Sequence, residues 1–426
     1  MPTDANLLHA LFTQAVAAAQ PGRALGFNLP SPPRGKTRVL GFGKAAATMG
    51  EALESAWPND APLEGVLVGP EGAPTQGLRR LRYLAGSHPL PSEGSQAGAL
   101  ALLEAAQGLG ADDLVIALVS GGASSLACAP VDGMSLADKQ QLNQALLASG
   151  APIHEMNVVR KHVSRIKGGR LAVACGLARV LTLVVSDVPG DALDIVGSGP
   201  TLPDPSTCSD AIAVLDRYGI AVPAAVRAGL ESGALETPKP GDPCFARHES
   251  RLIASPQAAL LAAAREAERL GWRAHVLSDA LEGEARGVGG VLEQLALAAG
   301  REGSPFQAPC LLLSGGETTV TLRHAQPGQG GRNAETLLGC VLALQGQPGA
   351  ERISALMADT DGIDGAGPGA GAWWLGSDAA PMAELRAALD AHDAGAFFAQ
   401  RGRALVTGAT GTNVNDFRVL RIEAAD

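Results

Sequence analysis

"DDLVIALVSGGASSLACAP", residues 112–130, decides the fold class. Leu114–Val119 is an apolar run with no polar alternation, which suits a strand covered by helices on both faces. The run stops at Ser120, Gly121 and Gly122, with Ser124 and Ser125 just beyond. Small residues at a strand-to-helix junction let backbone amides approach an anion, and a following helix adds its dipole. About two hundred residues later "APCLLLSGGETT" (308–319) repeats the transition with Ser314, Gly315 and Thr318. Either copy alone reads equally well as a tight turn before a helix cap. Their recurrence predicts two halves that face one cleft.

Short apolar runs alternate with longer Ala/Leu-rich stretches along the chain, the pattern of parallel α/β layers. Strands are expected at 37–41, 65–68, 113–119, 179–185, 274–277, 310–313, 353–358 and 404–407. Helices are expected at 44–56, 95–107, 136–149, 208–218, 256–270, 282–299, 333–345 and 381–391. The stretch "ALETPKPGDPCF" (234–245) holds three prolines and a glycine and reads as a linker. The prediction is two α/β domains with mostly parallel sheets, residues 1–237 and 238–426.

The chain has 426 residues, 46% hydrophobic and 18% charged, as a folded protein should be. Lys and Arg number 33 against 43 Asp and Glu, a net charge of −10. That balance argues against nucleic acid or an anionic membrane as partner. An acidic protein that handles an anionic substrate must concentrate positive charge locally. The six cysteines are scattered singly, and no apolar run approaches the roughly 18 residues of a membrane span. A start without a basic region completes the expectation of a cytoplasmic protein, monomeric or homodimeric.

Ligands of open parallel sheets sit at the carboxyl ends of the strands. Six expected strands end there in glycine plus a hydroxyl, amide, carboxylate or lysine. "GFGKAAA" (41–47) carries Gly43 and Lys44 and also matches the G-x-G-x-x-A dinucleotide spacing, a hint of NAD(P). A Walker A loop fails, because Arg38 stands at its first glycine and Ala45 at its Ser/Thr. Lys44, beside two glycines at a strand end, suits a bound phosphate. Asp187 follows the strand 179–185 and is a candidate base, metal ligand or cap. Asp359, Asp361 and Asp364 share one strand-end loop and fit Mg²⁺ bound to substrate phosphates, with capping as the plainer use. Arg332, just before a helix, can hold phosphate oxygens or pair with a neighbouring acid. "NVVRKHVSRIKGGRLAVA" (157–174) is either a solvated face or a local positive field. His88 lies in a Gly/Pro/Ser loop and is the one histidine placed to touch a ligand. No zinc spacing and no G-x-S-x-G elbow occurs, which excludes the common zinc and serine hydrolases.

Taken in order, "GFGKAA", "SHPLPSEGS", "VSGGASSL", "NVVRKHVSRIKGGRLA", "SDVPGDALDIVGSGPTLPDPST", "LLLSGGETTV", "GGRNAE", "DTDGIDG" and "GTNVNDFRV" resemble the type II glycerate kinases, whose C-terminal half is the MOFRL domain. The resemblance implies a Rossmann-like N-terminal domain, a C-terminal MOFRL domain and an active site in the interdomain cleft. It implies transfer of the ATP γ-phosphoryl group to D-glycerate with Mg²⁺, in most members giving 2-phosphoglycerate. It places the family's lysine on Lys44, its arginine on Arg332, its glutamate on Glu317 and an asparagine on Asn413. The expected roles follow from that scheme. Lys44 and Arg332 hold the travelling phosphoryl group, and Asp187 accepts the hydroxyl proton. Ser120, Gly121, Gly122 and Ser124 cradle a carboxylate or phosphate, as Ser314 and Gly315 do on the second copy. Asp359, Asp361 and Asp364 hold the metal. Two rivals remain: an NAD(P)-dependent hydroxypyruvate reductase and a non-catalytic sugar-phosphate-binding protein.

Overall fold

A computed structural model describes residues 4–322 and 328–424. The chain divides into two compact units, residues 21–253 and residues 1–20 with 254–426. The stretch 238–253 therefore goes with the first unit and the N-terminal helix with the second, unlike the division at 237/238 expected from the prolines. Among the described residues no helix is long and apolar enough to cross a membrane.

The first unit is built on a six-stranded sheet of β1 (Thr37–Phe42), β2 (Glu64–Pro70), β3 (Leu81–Gly86), β4 (Leu114–Val119), β5 (Arg179–Val185) and β6 (His248–Ala254). Its order is β3-β2-β1-β4-β5-β6, and β1 to β5 pair in parallel. All six residues of β4 are buried, as the uninterrupted apolar run requires. Val115, Ala117 and Val119 pack with Leu40, Phe42 and helix Glu93–Ala105 in the sheet's core. A second, purely helical core joins helices Leu136–Ala148, Ile153–His162, Cys208–Arg217 and Ala224–Glu231 through Leu142, Leu146, Val159, Val214 and Leu230.

The second unit holds β7 (Arg273–Glu284), β8 (Cys310–Thr319), β9 (Ile353–Asp359), β10 (Gly371–Trp374), β11 (Ala404–Leu405) and β12 (Asp416–Ile422), in the order β11-β10-β9-β12-β8-β7. Helices Ala285–Glu302, Arg332–Leu344, Met382–Asp390 and Ala394–Gln400 bury their apolar faces against it. The α/β class and the two-domain organisation match the expectation, but in this sheet only the β7–β8 pair is parallel. Apolar runs carry no direction. The link from β9 to β10 is also too short for a helical crossover, which takes a dozen or more residues.

The two serine–glycine stretches differ in form. The first is a turn between β4 and a short helix, Ala123–Leu126, with Gly122 at φ +74°. The second is not a turn: β8 continues straight through Ser314–Thr319 beside β7. Gly316, at φ +115°, lies so close to β7 that an added Cβ would stand 2.2 Å from the Leu281 carbonyl oxygen. Glycine is needed there by a neighbouring backbone.

Candidate functional site

In the first unit the ends of β1, β4 and β5 meet at the point where the strand order reverses, with Phe42 beside Val119 and Val119 beside Val184. Such switch points open the crevice in which doubly wound sheets bind ligands. Lys44 follows β1, Ser120–Gly122 follow β4 and Asp187 follows β5, so sequence-predicted residues from three strands gather here.

Their placement is fixed by close backbone contacts. Gly43 has φ +131°, and an added Cβ would fall 2.1 Å from Ser120 Oγ. A Cβ on Gly121 would fall 1.9 Å from Asp187 Oδ2, which puts that carboxylate directly over the turn. A Cβ on Gly122 would stand 3.2 Å from both Lys44 Cγ and His88 Cδ2, which locates both side chains. Gly43 N donates to Val68 O (3.0 Å), Lys44 N to Gly121 O (2.8 Å), Ala45 N to Ser120 Oγ (3.1 Å) and Ala46 N to Gly43 O (3.1 Å). A dinucleotide-binding loop would offer such amides to a pyrophosphate; here each has a protein acceptor. The acid that such a fingerprint needs after its second strand is available in Glu71, which follows β2 and is exposed. Gly41, however, lies inside β1 rather than at its turn. The Ser120 hydroxyl, expected to touch a ligand, is buried and clamps the β1 loop to β4.

Ser124 connects elsewhere. Lys167 Nζ donates to Ser124 O (2.7 Å) and Ser124 Oγ (2.6 Å), and Ser124 Oγ lies 2.7 Å from Ser198 Oγ. Within the basic run, Lys161 pairs with Asp194 (3.2 Å) and Asp204 (3.3 Å) and Arg170 donates to Leu235 O (2.5 Å), so these two are structural.

His88 is exposed as a residue, yet burial around its ring, and then the charge of Lys44, pull the imidazole down to about 4. The folded state holds this proton less tightly than the unfolded chain. Its contribution to stability is therefore full above about pH 6.5 and is lost as pH falls through about 4. NMR titration of the His88 ring is expected to give a midpoint near 4, and a midpoint above 5.5 would contradict this environment.

In the second unit Arg332 opens helix Arg332–Leu344 and is enclosed by acids. Its Nε donates to Asp416 Oδ1 (2.8 Å), one terminal nitrogen to Asp359 Oδ2 (2.9 Å) and the other to Glu317. Burial alone would lower the guanidinium, but the charges of Asp416, Asp359 and Glu317 outweigh it and hold it above its ordinary value. Asp359 and Asp416 are direct partners across β9 and β12. Asp416 also accepts from Asn333 Nδ2 (2.7 Å), Thr318 N (3.3 Å) and the wholly buried Arg418.

The loop after β9 divides its three acids. Asp364 uses one carboxylate oxygen for the amide of Asn333 (3.0 Å) and the other for Ala334 (2.8 Å), so it caps the helix, and burial pushes its carboxyl up to about 6. Asp361 Oδ1 accepts from Ile363 N (2.9 Å), and its amide donates to Asp359 Oδ1 (3.1 Å). Burial first, and the charge of Asp361 second, push the Asp359 carboxyl well above its ordinary range. The three expected metal ligands do not converge. Among the described residues the cluster of three or more ligating groups within 4.8 Å of one another is His162, Cys208 and Glu236. Asn413 is buried and turns its loop by accepting from Asn415 N (3.1 Å). Ser314 Oγ is buried with no hydrogen-bond partner among the described residues, and the Gly315 carbonyl accepts from Arg418 (2.7 Å). Sequence reasoning missed Asp416, three residues past Asn413, and missed Arg418. An acid and two arginines, Asp416, Arg418 and Arg421, set among the apolar residues of one strand were the available signal.

A doubly wound sheet with a lysine and a glycine turn at its switch point makes the first unit an α/β fold of the ligand-binding kind. Residues 7–231 match a family model described as a domain of unknown function, DUF4147, and residues 310–416 match the MOFRL family. The chain belongs to the family of MOFRL-containing glycerate kinases. It is 37% identical to the glycerate 2-kinase of Pyrococcus horikoshii over 90% of this chain and 86% of that one. It is 48% identical to an Agrobacterium vitis protein provisionally named hydroxypyruvate reductase, over 98% and 94% of the two chains. The crystal structure of glycerate kinase from Thermotoga maritima superposes with a TM-score of 0.87 at 34% identity, covering 98% and 99%.

Proposed function

We propose that the protein is an ATP-dependent glycerate kinase that makes 2-phosphoglycerate from D-glycerate. The single observation that carries this reading is the β1 loop. Its amides 43–46 are all bonded to protein, so Lys44 brings a side-chain cation to the switch point rather than a backbone cradle for a dinucleotide.

In the reaction the 2-hydroxyl oxygen forms a bond to the γ-phosphorus, the bond from that phosphorus to the β-bridging oxygen breaks, and ADP leaves. The transition state is loose and asks mainly for positioning and for neutralisation of spread charge. Lys44 supplies positive charge to the transferring group. Asp187, held over Gly121, takes the hydroxyl proton. In the second unit Arg332 commits three of its five N–H groups to the carboxylates of Asp416, Asp359 and Glu317. Asp359 and Asp361 offer oxygen donors of the kind Mg²⁺ prefers, and their mutual repulsion is what a divalent cation relieves. Held by Asp359 and Asp361, Mg²⁺ would supply charge neutralisation for the nucleotide phosphates. Asp364 shapes that loop as a cap.

The test is incubation with ATP, Mg²⁺ and D-glycerate, coupled through enolase, beside a parallel assay of NADH oxidation with hydroxypyruvate. Enolase-coupled turnover without added mutase is expected. ATP-independent NADH oxidation, or turnover only after a mutase is added, would overturn the reading in its activity or in its regiochemistry.

A further inference from the structure

The first unit contains buried cations that no carboxylate among the described residues compensates. Lys139, on helix Leu136–Ala148, is 1% exposed, and its Nζ has no hydrogen-bond partner among the described residues. Lys167 is 2% exposed and, among the described residues, donates to the hydroxyl and carbonyl of Ser124. Arg160 is half-buried, and its Nε has no hydrogen-bond partner among the described residues. Burial lowers all three, Lys139 to about 8, and the charges of Lys139 and Arg160 lower Lys167 further, while Cys128 acts the other way on the two lysines. An ion out of water costs several kcal/mol unless a counter-charge repays it. Lys161, in the same basic run, shows how this fold treats a structural lysine, giving it Asp194 and Asp204.

We infer that Lys139, Arg160 and Lys167 form the seat for the carboxylate of the acid substrate, a short 2-hydroxy acid. The hydrogen bonds around Lys167 hold its ammonium in place. Ser198 Oγ donates to Asn157 Oδ1 (3.0 Å), Ser124 Oγ therefore donates to Ser198, and Ser124 Oγ accepts from Lys167. Every proton in that string points away from the ammonium, which fixes its position. Ser124 also belongs to the turn whose first residues, Ser120 and Gly121, hold the Lys44 loop. A compact monoanion suits enclosed donors of this kind better than a metal-chelated triphosphate does.

The inference rests on the glycerate kinase reading for the identity of the acid, and the test separates the two. Thermal unfolding is measured without ATP in the presence of D-glycerate or glycerol, for the natural protein, Lys139→Met and Arg160→Gln. D-glycerate, and not glycerol, is expected to raise the Tm of the natural protein. Lys139→Met is expected to lose that rise while its unliganded Tm stays equal or higher. Its KM for D-glycerate should increase about 30-fold or more, the scale of a lost hydrogen bond to a charged group, with the KM for ATP little changed. If Lys139→Met does not fold, Arg160→Gln carries the same comparison. A retained D-glycerate shift with unchanged KM overturns the inference. A uniform loss of Tm with no selective change in KM also overturns it, because that is what a structural role produces. A Lys139-dependent shift in a protein that does not phosphorylate D-glycerate keeps the carboxylate seat and removes the kinase reading.

Discussion

Lys44→Met is expected to lower kcat by about 10²–10³-fold, the range for loss of one preorganised charge at a transition state, while leaving the thermal transition nearly where it was. The side chain is only partly buried, and methionine keeps its length, so little core volume is disturbed. The loop that carries it is fixed by backbone bonds to Val68, Gly121 and Ser120, none of which involves the lysine side chain. The effect should fall equally on kcat and on kcat/KM, the signature of an interaction made in the transition state. A rise in KM for ATP with kcat intact would instead mark Lys44 as a ground-state phosphate contact. Rates within tenfold of the natural protein would remove Lys44 from the chemistry altogether.

How much of this arrangement the sequence disclosed depends on the kind of element. Helices with a clear apolar face and a capping residue were legible nearly to the residue: 136–149 is found at Leu136–Ala148 and 208–218 at Cys208–Arg217, each behind a capping box. Buried strands with uninterrupted apolar runs were equally clear, as β4 and β5 show. β12 was missed. Its Asp416, Arg418 and Arg421 break the apolar pattern, and only tertiary ion pairs make those charges tolerable in a buried strand. The extension of β8 was hidden for the opposite reason, since two glycines read as a turn unless a neighbouring backbone is known to need the space. At the site, Lys44, Gly121 and Asp187 were legible because each follows a recognisable strand. Lys139 gave no signal at all: one lysine in a polar helix segment reads as a solvated face until its burial is known. The acids around Arg332 were visible one by one, but their division between capping and ion pairing is a property of distances.

Asp416→Ala is expected to destabilise the second unit by about 3–5 kcal/mol, the range for removing one partner of a buried ion pair, or roughly 6–20 °C in Tm for a unit of this size. The carboxylate is fully enclosed and binds two arginines at once, Arg332 through Oδ1 and Arg418 through Oδ2, with Asn333 and Thr318 completing its shell. Arg418 is itself buried and has no other carboxylate partner among the described residues, so the substitution strands a cation in the sheet. Packing loss would predict a different pattern, and a double substitution separates the two causes. In Asp416→Leu with Arg418→Met the stranded charge is gone, and much of the lost stability should return, since replacing a buried pair by apolar groups is often neutral or better. Activity should not return with it. Arg332 would have lost the bond that orients its Nε, and its fork would rest on Asp359 and Glu317 alone. Thermal melts and steady-state rates of the single and double variants measure both halves of this expectation. If the double variant is no more stable than Asp416→Ala, the cost lies in shape rather than in uncompensated charge. If it regains stability and activity together, Asp416 has no part in positioning Arg332.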